Sequence, residues 1–254
     1  MGKLIEQAFA NTARVIFGSS LSGTLDDYGP WLSSSLRPVG RHPSAVSNQM
    51  VYDPPLAFYA PAAKRAVSRE EAAMLGTRSL AEGDALSLTL ENAASKLNII
   101  RYHTSDAQLG ECMGNEECNL CINTSHSYRA YSITNCKFCA YCFWPRDSEH
   151  VFGSDTLLAS RFCIKCYNSN NLTRCLELNN SADCSDCLFG NNLESCADCL
   201  FCTNAKSLHY AVFNKEVGRE AYLKLKKKLV GEMVMRLEKG KALPWSIFTI
   251  GQPV

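Results

Sequence analysis

The sequence predicts a mainly β fold: a narrow β-helix, or solenoid, with twelve-residue coils, flanked by an extended N-terminal arm and a C-terminal capping helix. All 14 cysteines of the 254 residues lie between Cys112 and Cys202. Every cysteine number leaves the same remainder on division by three, so the cysteines follow a strict period. A short fixed period is typical of repeat proteins, in which each unit stacks on its two neighbours.

The repeat unit is twelve residues long. From Tyr102 to His209 the chain divides into contiguous blocks, in which every cysteine occupies block position 2, 5, 8 or 11. The clearest blocks are FCIKCYNSNNLT (162–173), RCLELNNSADCS (174–185), DCLFGNNLESCA (186–197) and DCLFCTNAKSLH (198–209). A coil this narrow has room inside only for small side chains, and cysteine behaves as a small hydrophobe. We therefore expect core cysteines, above all Cys163, Cys175, Cys184, Cys187, Cys196, Cys199 and Cys202.

These inward positions are also used by the twelve-residue β-helix of beetle antifreeze proteins, which this repeat resembles. The resemblance implies that block position 3 lies on the outer, flat face of the coil. Antifreeze proteins carry threonine on that face, whereas this chain carries large apolar residues, so we do not expect ice binding. Asparagine tolerates left-handed backbone geometry, and its recurrence at position 7 predicts a turn there. The residues concerned are Asn168, Asn180, Asn192 and Asn204.

Residues 1–83 are predicted to form an N-terminal arm with short helices. Residues 4–17 have apolar side chains at helical spacing, and Ser68 with Glu71 forms a capping box that starts another helix. Six of the 9 prolines lie between these helices, in residues 18–66, among several large apolar side chains. We interpret that stretch as extended chain lying on its own solenoid or on a neighbour; a disordered tail is the alternative.

The solenoid is predicted to occupy residues 84–217. Its start is ambiguous, because residues 85–90 alternate like a strand, while residues 90–101 fit either an imperfect first coil or a helix that plugs the end. Residues 218–254 are predicted to contain an amphipathic helix, over 219–239, that caps the last coil and is followed by an apolar tail.

The predicted C-terminal helix also has a basic face. Its lysines are Lys224, Lys226, Lys227 and Lys228. We interpret this face as solvated, with a phosphate or nucleic-acid contact as the alternative.

Overall composition narrows the functional classes. The net charge is +1, which gives no sign of a strong polyanion partner, so nucleic acid is not expected. No run of about eighteen apolar residues is present to span a membrane, and the N-terminal residues lack the pattern of a secretory signal. We therefore expect cytoplasmic synthesis with the thiols reduced.

The segment that ends the repeat, CADCLFCTNAKSLHYAVFNKEVGREAYLKLKKKL, resembles an uncharacterised Cys-rich CxxC-repeat family of ultrasmall bacteria and phages. Members of that family follow their repeats with a YxxFNK-like segment, a further tyrosine and a helix. The matching residues here are Tyr210, Phe213, Asn214, Lys215 and Tyr222, whereas the aromatic residue that the family has after Asn-Lys is absent. The resemblance covers about residues 112–235 and implies only a fold, because the family has no assigned activity.

The CxxC pairs are also typical of zinc sites. The best candidates are two triple clusters, Cys136, Cys139 and Cys142, and Cys196, Cys199 and Cys202. A fourth ligand would come from another coil or from His126 or His209. However, adjacent inward positions differ by three, so the repeat alone produces CxxC, and we favour core cysteines without a cofactor. Zinc is the alternative, and disulfides between stacked coils are a third reading that requires an oxidising setting.

Catalysis is not expected. The chain has no phosphate-binding glycine loop, no nucleophile elbow and no HExxH motif. Its thiols are expected to be buried, which does not favour a reactive nucleophile. We therefore predict no catalytic residues.

The outward positions point to a structural role. Position 3 carries a continuous apolar ladder that cannot stay in water, so it must be covered by the N-terminal arm, by the C-terminal segments or by another protein. The predicted partner-binding residues are Leu176, Leu188, Leu200, Phe189 and Phe201. We predict a non-enzymatic, oligomeric assembly protein, a rigid rod that docks on other protein subunits, with decoration or bracing of a phage virion as one setting. The alternative is a zinc-binding nucleic-acid or regulatory binding protein.

Overall fold

The computed structural model describes residues 2–251 of the chain. By compactness the chain forms two units: residues up to Leu36 together with those from Leu109 onward, and the intervening residues Arg37–Gln108. We call them the solenoid unit and the insert unit. This division differs from the predicted boundaries at 83/84 and 217/218, which separate segments by their type of structure.

Most helices precede the solenoid strands, and one long helix follows them. The α-helices are α1 (Lys3–Phe17), α2 (Gly29–Ser33), α3 (Arg69–Leu75), α4 (Glu82–Leu86), α5 (Leu90–Ile100) and α6 (Arg219–Gly240), with 3-10 helices at Leu25–Tyr28 and Ala57–Arg65. The strands are β1 (Gly40–Pro43), β2 (Met50–Asp53), β3 (Gln108–Leu109), β4 (Asn119–Ile122), β5 (Tyr128–Thr134), β6 (Lys137–Phe143), β7 (Glu149–Phe152), β8 (Asp155–Leu158), β9 (Arg161–Ile164), β10 (Tyr167–Asn170), β11 (Thr173–Asn179), β12 (Leu188–Glu194), β13 (Ala197–Leu200), β14 (Thr203–Lys206), β15 (His209–Val212) and β16 (Lys215–Glu216).

Strands β3 to β15 wind into a β-solenoid of about nine turns over residues 108–212. Successive strands pair in parallel with a register of twelve residues, as where Leu176 pairs with Leu188 and Leu188 with Leu200. The predicted fold class, a mainly β solenoid with twelve-residue coils, is therefore confirmed.

Each coil has four corners. From Gly114 to Phe213 every third residue has a positive φ, so the left-handed conformation recurs at block positions 1, 4, 7 and 10. Left-handed geometry costs an L-residue about 1–2 kcal/mol, less for asparagine and aspartate, and β-branched residues resist it most. Asparagine and aspartate are frequent at these corners, and Thr156 is their one β-branched residue. The sequence predicted the corner at position 7 but not the other three.

The corners determine how the backbone is bonded. In each three-residue side, the corner N–H donates to the preceding coil, as from Phe201 to the Leu188 carbonyl at 3.0 Å. The outward residue donates to the following coil, as from Leu176 to the Cys187 carbonyl at 3.1 Å. Only the N–H of the inward residue is left for a side chain.

Helices cover one flank of the solenoid and create a second core. The position-3 ladder packs against α1, α2 and α6 in one apolar cluster, separate from the cluster inside the coils. Phe9 of α1, for example, meets the Phe152 ring edge-on at 5.2 Å. The chain therefore has an inner core of small side chains and an outer core of large ones.

Helix α6 lies along the flank of the rod. Near its start Tyr222 donates to the Asp186 carbonyl at 3.4 Å, and just past its end Lys241 Nζ lies 3.2 Å from the Tyr28 hydroxyl. The last coil is instead followed by the antiparallel β15–β16 pair. The predicted helix is present, but it covers the side of the coils rather than their end.

The structure decides three points of the sequence prediction. The strand predicted over residues 85–90 is absent, whereas of the two readings of residues 90–101 the helix is the one observed, as α5, because Thr89 and Asn92 form a capping box that starts it. The stretch predicted to be extended chain, residues 18–66, is largely folded. Its first part packs on the protein's own solenoid, which was one of the two expected surfaces, and residues 40–53 form the antiparallel β1–β2 pair.

Candidate functional site

The thiols line the inside of the solenoid. All seven predicted core cysteines face the inner cluster and are at most 2% exposed, while Cys112 and Cys118, near its first turn, are half-buried. All fourteen cysteines are free thiols. The inward side chains form a continuous column along the solenoid, because the inward position recurs at the same place in each three-residue side.

Many of the thiols are hydrogen-bonded to the backbone of their own coil and of the next coil. The Sγ of Cys175 lies 3.4 Å from the Thr173 carbonyl and 3.6 Å from the Cys184 carbonyl, and it accepts the N–H of Cys187. Inward serines do the same, as where Ser181 Oγ accepts the Leu193 N–H at 3.1 Å. The inward side chain thus supplies the acceptor that the corner geometry leaves unmet. This hydrogen-bonding role was not predicted from the sequence, where cysteine was expected only to pack as a small apolar side chain.

Burial makes several of these thiols poor acids. It raises the pKa of Cys142 to about 12 and holds the pKa of Cys175 well above its usual range. Since the thiolate is the nucleophile and the metal ligand, a thiol that stays protonated at neutral pH is suited to packing and hydrogen bonding.

The last coils hold a denser group of thiols, which we call the terminal thiol cluster: Cys184, Cys187, Cys196, Cys199 and Cys202. Hydrogen bonds from Cys187 and Cys202 lower the pKa of Cys199. Hydrogen bonding to Cys184 and to Cys199 raises the pKa of Cys187, and hydrogen bonding to Cys199 raises that of Cys202. All five are at most 2% exposed, so a reagent reaches them only if the coil opens.

The predicted zinc ligands are not arranged as a metal site. Within residues 2–251 no group of three or more His, Cys, Asp or Glu side chains is placed to hold a metal ion. His126, a corner residue, stacks on Phe138 at 5.6 Å, and the His209 residue is exposed on β15. Neither block position faces the inside of a coil, so these histidines cannot complete either triple cluster without rearrangement. Zinc binding stays an untested prediction.

The residues predicted to bind a partner lie beneath the protein's own helices. Leu176, Leu188, Leu200 and Phe189 are buried in the outer core. Phe201 is half-buried and stacks at 5.2 Å on Phe189 and 5.6 Å on Phe213. The sequence left three possible covers for this ladder, and the structure places the first two, the N-terminal and C-terminal segments, over it.

A buried ion pair joins three parts of the solenoid unit. Lys165 and Glu177 occupy the position-4 corner of successive coils, both side chains are 0% exposed, and Nζ lies 3.7 Å from Oε1. Lys165 also donates to the Trp31 carbonyl at 3.0 Å and to Ser34 Oγ at 2.9 Å. Glu177 Oε2 accepts the backbone N–H of Ile247 at 2.8 Å.

The pair connects α2, the coils and the C-terminal tail at one point. Burial raises the pKa of Glu177 to about 7, with Lys165 opposing the rise, and burial lowers the pKa of Lys165. This pair was not predictable from the sequence pattern, because only tertiary packing shows which corners of the coils are covered.

The basic face of α6 is partly neutralised by the solenoid. Lys226 Nζ lies 3.4 Å from an Asp198 carboxylate oxygen and 4.0 Å from one of Asp186. Lys224, Lys227 and Lys228 are exposed.

The insert unit holds a cluster of serine, histidine and aspartate centred on Asp53. Its carboxylate lies 2.8 Å from His42 Nε2, accepts from Ser105 Oγ at 2.6 Å and lies 3.8 Å from His103 Nε2. In a nucleophilic triad the histidine stands between the acid and the serine, so that it can take the serine's proton. Here the aspartate is central, so the arrangement differs from that of a triad, and its contacts join β2 to residues 103–105.

The insert unit also presents large apolar side chains to solvent. Helix α5 has no buried residue, and Leu90 and Leu97 are 94% and 54% exposed. Leu86, the last residue of α4, and Leu88, in the link to α5, are exposed as well. Sequence pattern alone did not predict this exposure, because residues 90–101 fitted either a coil or a helix that plugs the end.

Comparison with protein-family models and with curated proteins finds no match. Among residues 2–251, no helix combines the length and the apolar character that crossing a membrane requires.

Proposed function

We propose that this protein is a non-enzymatic structural protein of a larger assembly, in which a rigid Cys-cored solenoid carries the insert unit as a docking element for partner subunits. The observation that carries the proposal is a contrast between two apolar surfaces. The solenoid's ladder is covered by α1, α2 and α6, whereas the apolar side chains of α5 are not covered. Exposed apolar surface of this kind marks an interaction site.

The solenoid has the features of a stiff spacer. Parallel pairing in one constant register, an inner core and an outer core all restrict bending. About nine coils at a strand spacing of roughly 4.8 Å correspond to a rod of about 43 Å. Many of its interior thiols are hydrogen-bonded to the backbone, and those whose pKa is raised by burial, such as Cys142 and Cys175, are suited to packing, which supports a mechanical role.

In this proposal the partner subunits bind the insert unit and not the position-3 ladder of the solenoid. A partner that used Leu176, Leu188 and Leu200 would first have to displace α1 or α6 and expose the whole outer core. Burying one such side chain contributes about 1.5–3 kcal/mol, so that exchange is unfavourable. A phage virion stays the setting that the sequence resemblance suggests.

Cross-linking mass spectrometry of the assembly isolated from its source tests the proposal. We expect fixed-stoichiometry cross-links between other subunits and the exposed residue Lys64 or its neighbours in the insert unit. Lysines of α6, such as Lys227, serve as the internal control and should link mainly within the chain. Recovery of the chain only as a free protein, without links to any other subunit, would overturn the proposal.

A further inference from the structure

We propose that α5 is a self-recognition helix, which pairs antiparallel with α5 of a second copy of this chain. This inference rests on the proposed assembly function and names one of its partners. It is carried by the exposed stripe of α5 and by the order of large, small and charged residues along that stripe.

The stripe lies on one side of the helix. Leu90, Ala94 and Leu97 follow each other at spacings of four and three residues, which places them on one face of the helix. Arg101, the C-cap residue that follows α5, continues this spacing, and all four residues are exposed. The helix rests on its own unit with another face, where Asn92, Ala93, Lys96 and Ile100 are half-buried. The exposed stripe is therefore available while the helix is folded.

The stripe is complementary to itself when two copies run antiparallel with their helix centres level. Leu97 of one copy then lies against Ala94 of the other, so that a large side chain meets a small one twice across the twofold axis. The aliphatic part of Arg101 covers Leu90 of the second copy, and its guanidinium reaches the exposed carboxylate of Glu91 there. One helix therefore supplies the large side chain and the small one that faces it, and both members of the ion pair.

The size of the surface predicts the strength of pairing. At about 60–120 Å² per fully exposed aliphatic side chain, Leu90 and Leu97 of the stripe expose roughly 90–180 Å² of apolar surface. A stable interface buries roughly 800 Å² on each partner, so this pairing belongs to the weak class. Weak pairing suits a contact that acts between neighbours held in an assembly, where the effective concentration is high.

Analytical ultracentrifugation of the full chain over a range of concentrations gives the first test. We expect a concentration-dependent monomer–dimer equilibrium that Leu97→Glu weakens by about tenfold or more, since it sets a carboxylate against the apolar centre. Ile99→Glu is the matched control. Ile99 is an exposed apolar residue of the same helix, 63% against 54% exposed for Leu97, but it lies on the opposite side of the helix. It should change the dissociation constant by less than about twofold.

Disulfide trapping tests the geometry. Ala94 lies within one helical turn of the twofold axis, where two Cα atoms come within the roughly 7 Å that a disulfide requires. Ala94→Cys should give a cross-linked dimer under mild oxidation, with a 94–94 bond identified by peptide mapping. Ser95→Cys, which points about 100° away on the helix, should not.

The outcomes separate the inference from the proposed function. A chain that stays monomeric at all concentrations, or equal effects of the 97 and 99 variants, would overturn self-recognition. If Leu97→Glu instead abolished cross-links to a different subunit of the assembly, self-recognition would be wrong and the assembly function would stand.

Discussion

Replacing Cys175 separates the two roles that a thiol could have in this core. Alanine and serine have similar volumes, so they leave a similar gap where the sulfur was. They differ in that serine can accept the Cys187 N–H and donate to the Cys184 carbonyl, as the thiol does. If the thiol only fills space, the alanine variant should be the more stable of the two, because the serine hydroxyl would be buried without a hydrogen bond.

The structure predicts the opposite order. With Cys175→Ala the N–H of Cys187 loses its acceptor, which costs about 1–3 kcal/mol for a buried group. Loss of the buried sulfur adds roughly 1 kcal/mol, about the value of one methylene. Cys175→Ser suffers mainly the second loss. We therefore expect the serine variant to be more stable than the alanine variant by about 1–2 kcal/mol.

Urea unfolding followed by circular dichroism under reducing conditions measures the difference. Ser181 provides the reciprocal control, because its Oγ accepts the Leu193 N–H in the same way. Ser181→Cys should be close to neutral, and Ser181→Ala should cost about 1–3 kcal/mol. If Cys175→Ala proved as stable as Cys175→Ser, the hydrogen-bonding role would be refuted and the filler interpretation would stand.

Three further predictions follow. Burial raises the pKa of Glu177 to about 7, so the folded state binds a proton more tightly than the unfolded state and loses stability as the pH rises. Relative to Glu177→Gln, the free energy of unfolding of the wild type should fall by up to about 3 kcal/mol between pH 4.5 and pH 7. Urea midpoints of the two proteins that change in parallel with pH would contradict this. In the folded protein a thiol reagent should label Cys112 and Cys118, and all fourteen cysteines should react after unfolding; elemental analysis showing two or more zinc ions per chain would favour the zinc alternative. Phe9→Ala should cost about 3–5 kcal/mol, because Phe9 packs on Phe152 and Tyr28, and Val15→Ala, at an exposed position of the same helix, should change the urea midpoint little.

Cysteine periodicity by itself was enough to determine the solenoid. A spacing of three between inward positions and of twelve between coils is a local property, so it is visible in the residues without knowledge of any contact. The capping box at Ser68 and Glu71 was also predictable, because both of its hydrogen bonds join residues three apart. The apolar ladder at position 3 was predictable as a surface that needs a cover.

Tertiary structure decided everything that depends on which segments meet. Only the folded chain shows that α1 and α6 cover the ladder, that Lys165 and Glu177 are buried together, and that α5 is left uncovered. It also shows why cysteine and serine share the inward positions. With a left-handed corner at every third residue, the N–H of the inward residue is the one in each side that meets no backbone carbonyl, and only the stacked coil reveals that the side chain twelve residues earlier accepts it. Sequence pattern thus determines what repeats locally, whereas burial and hydrogen bonding between distant segments are properties of the packed molecule.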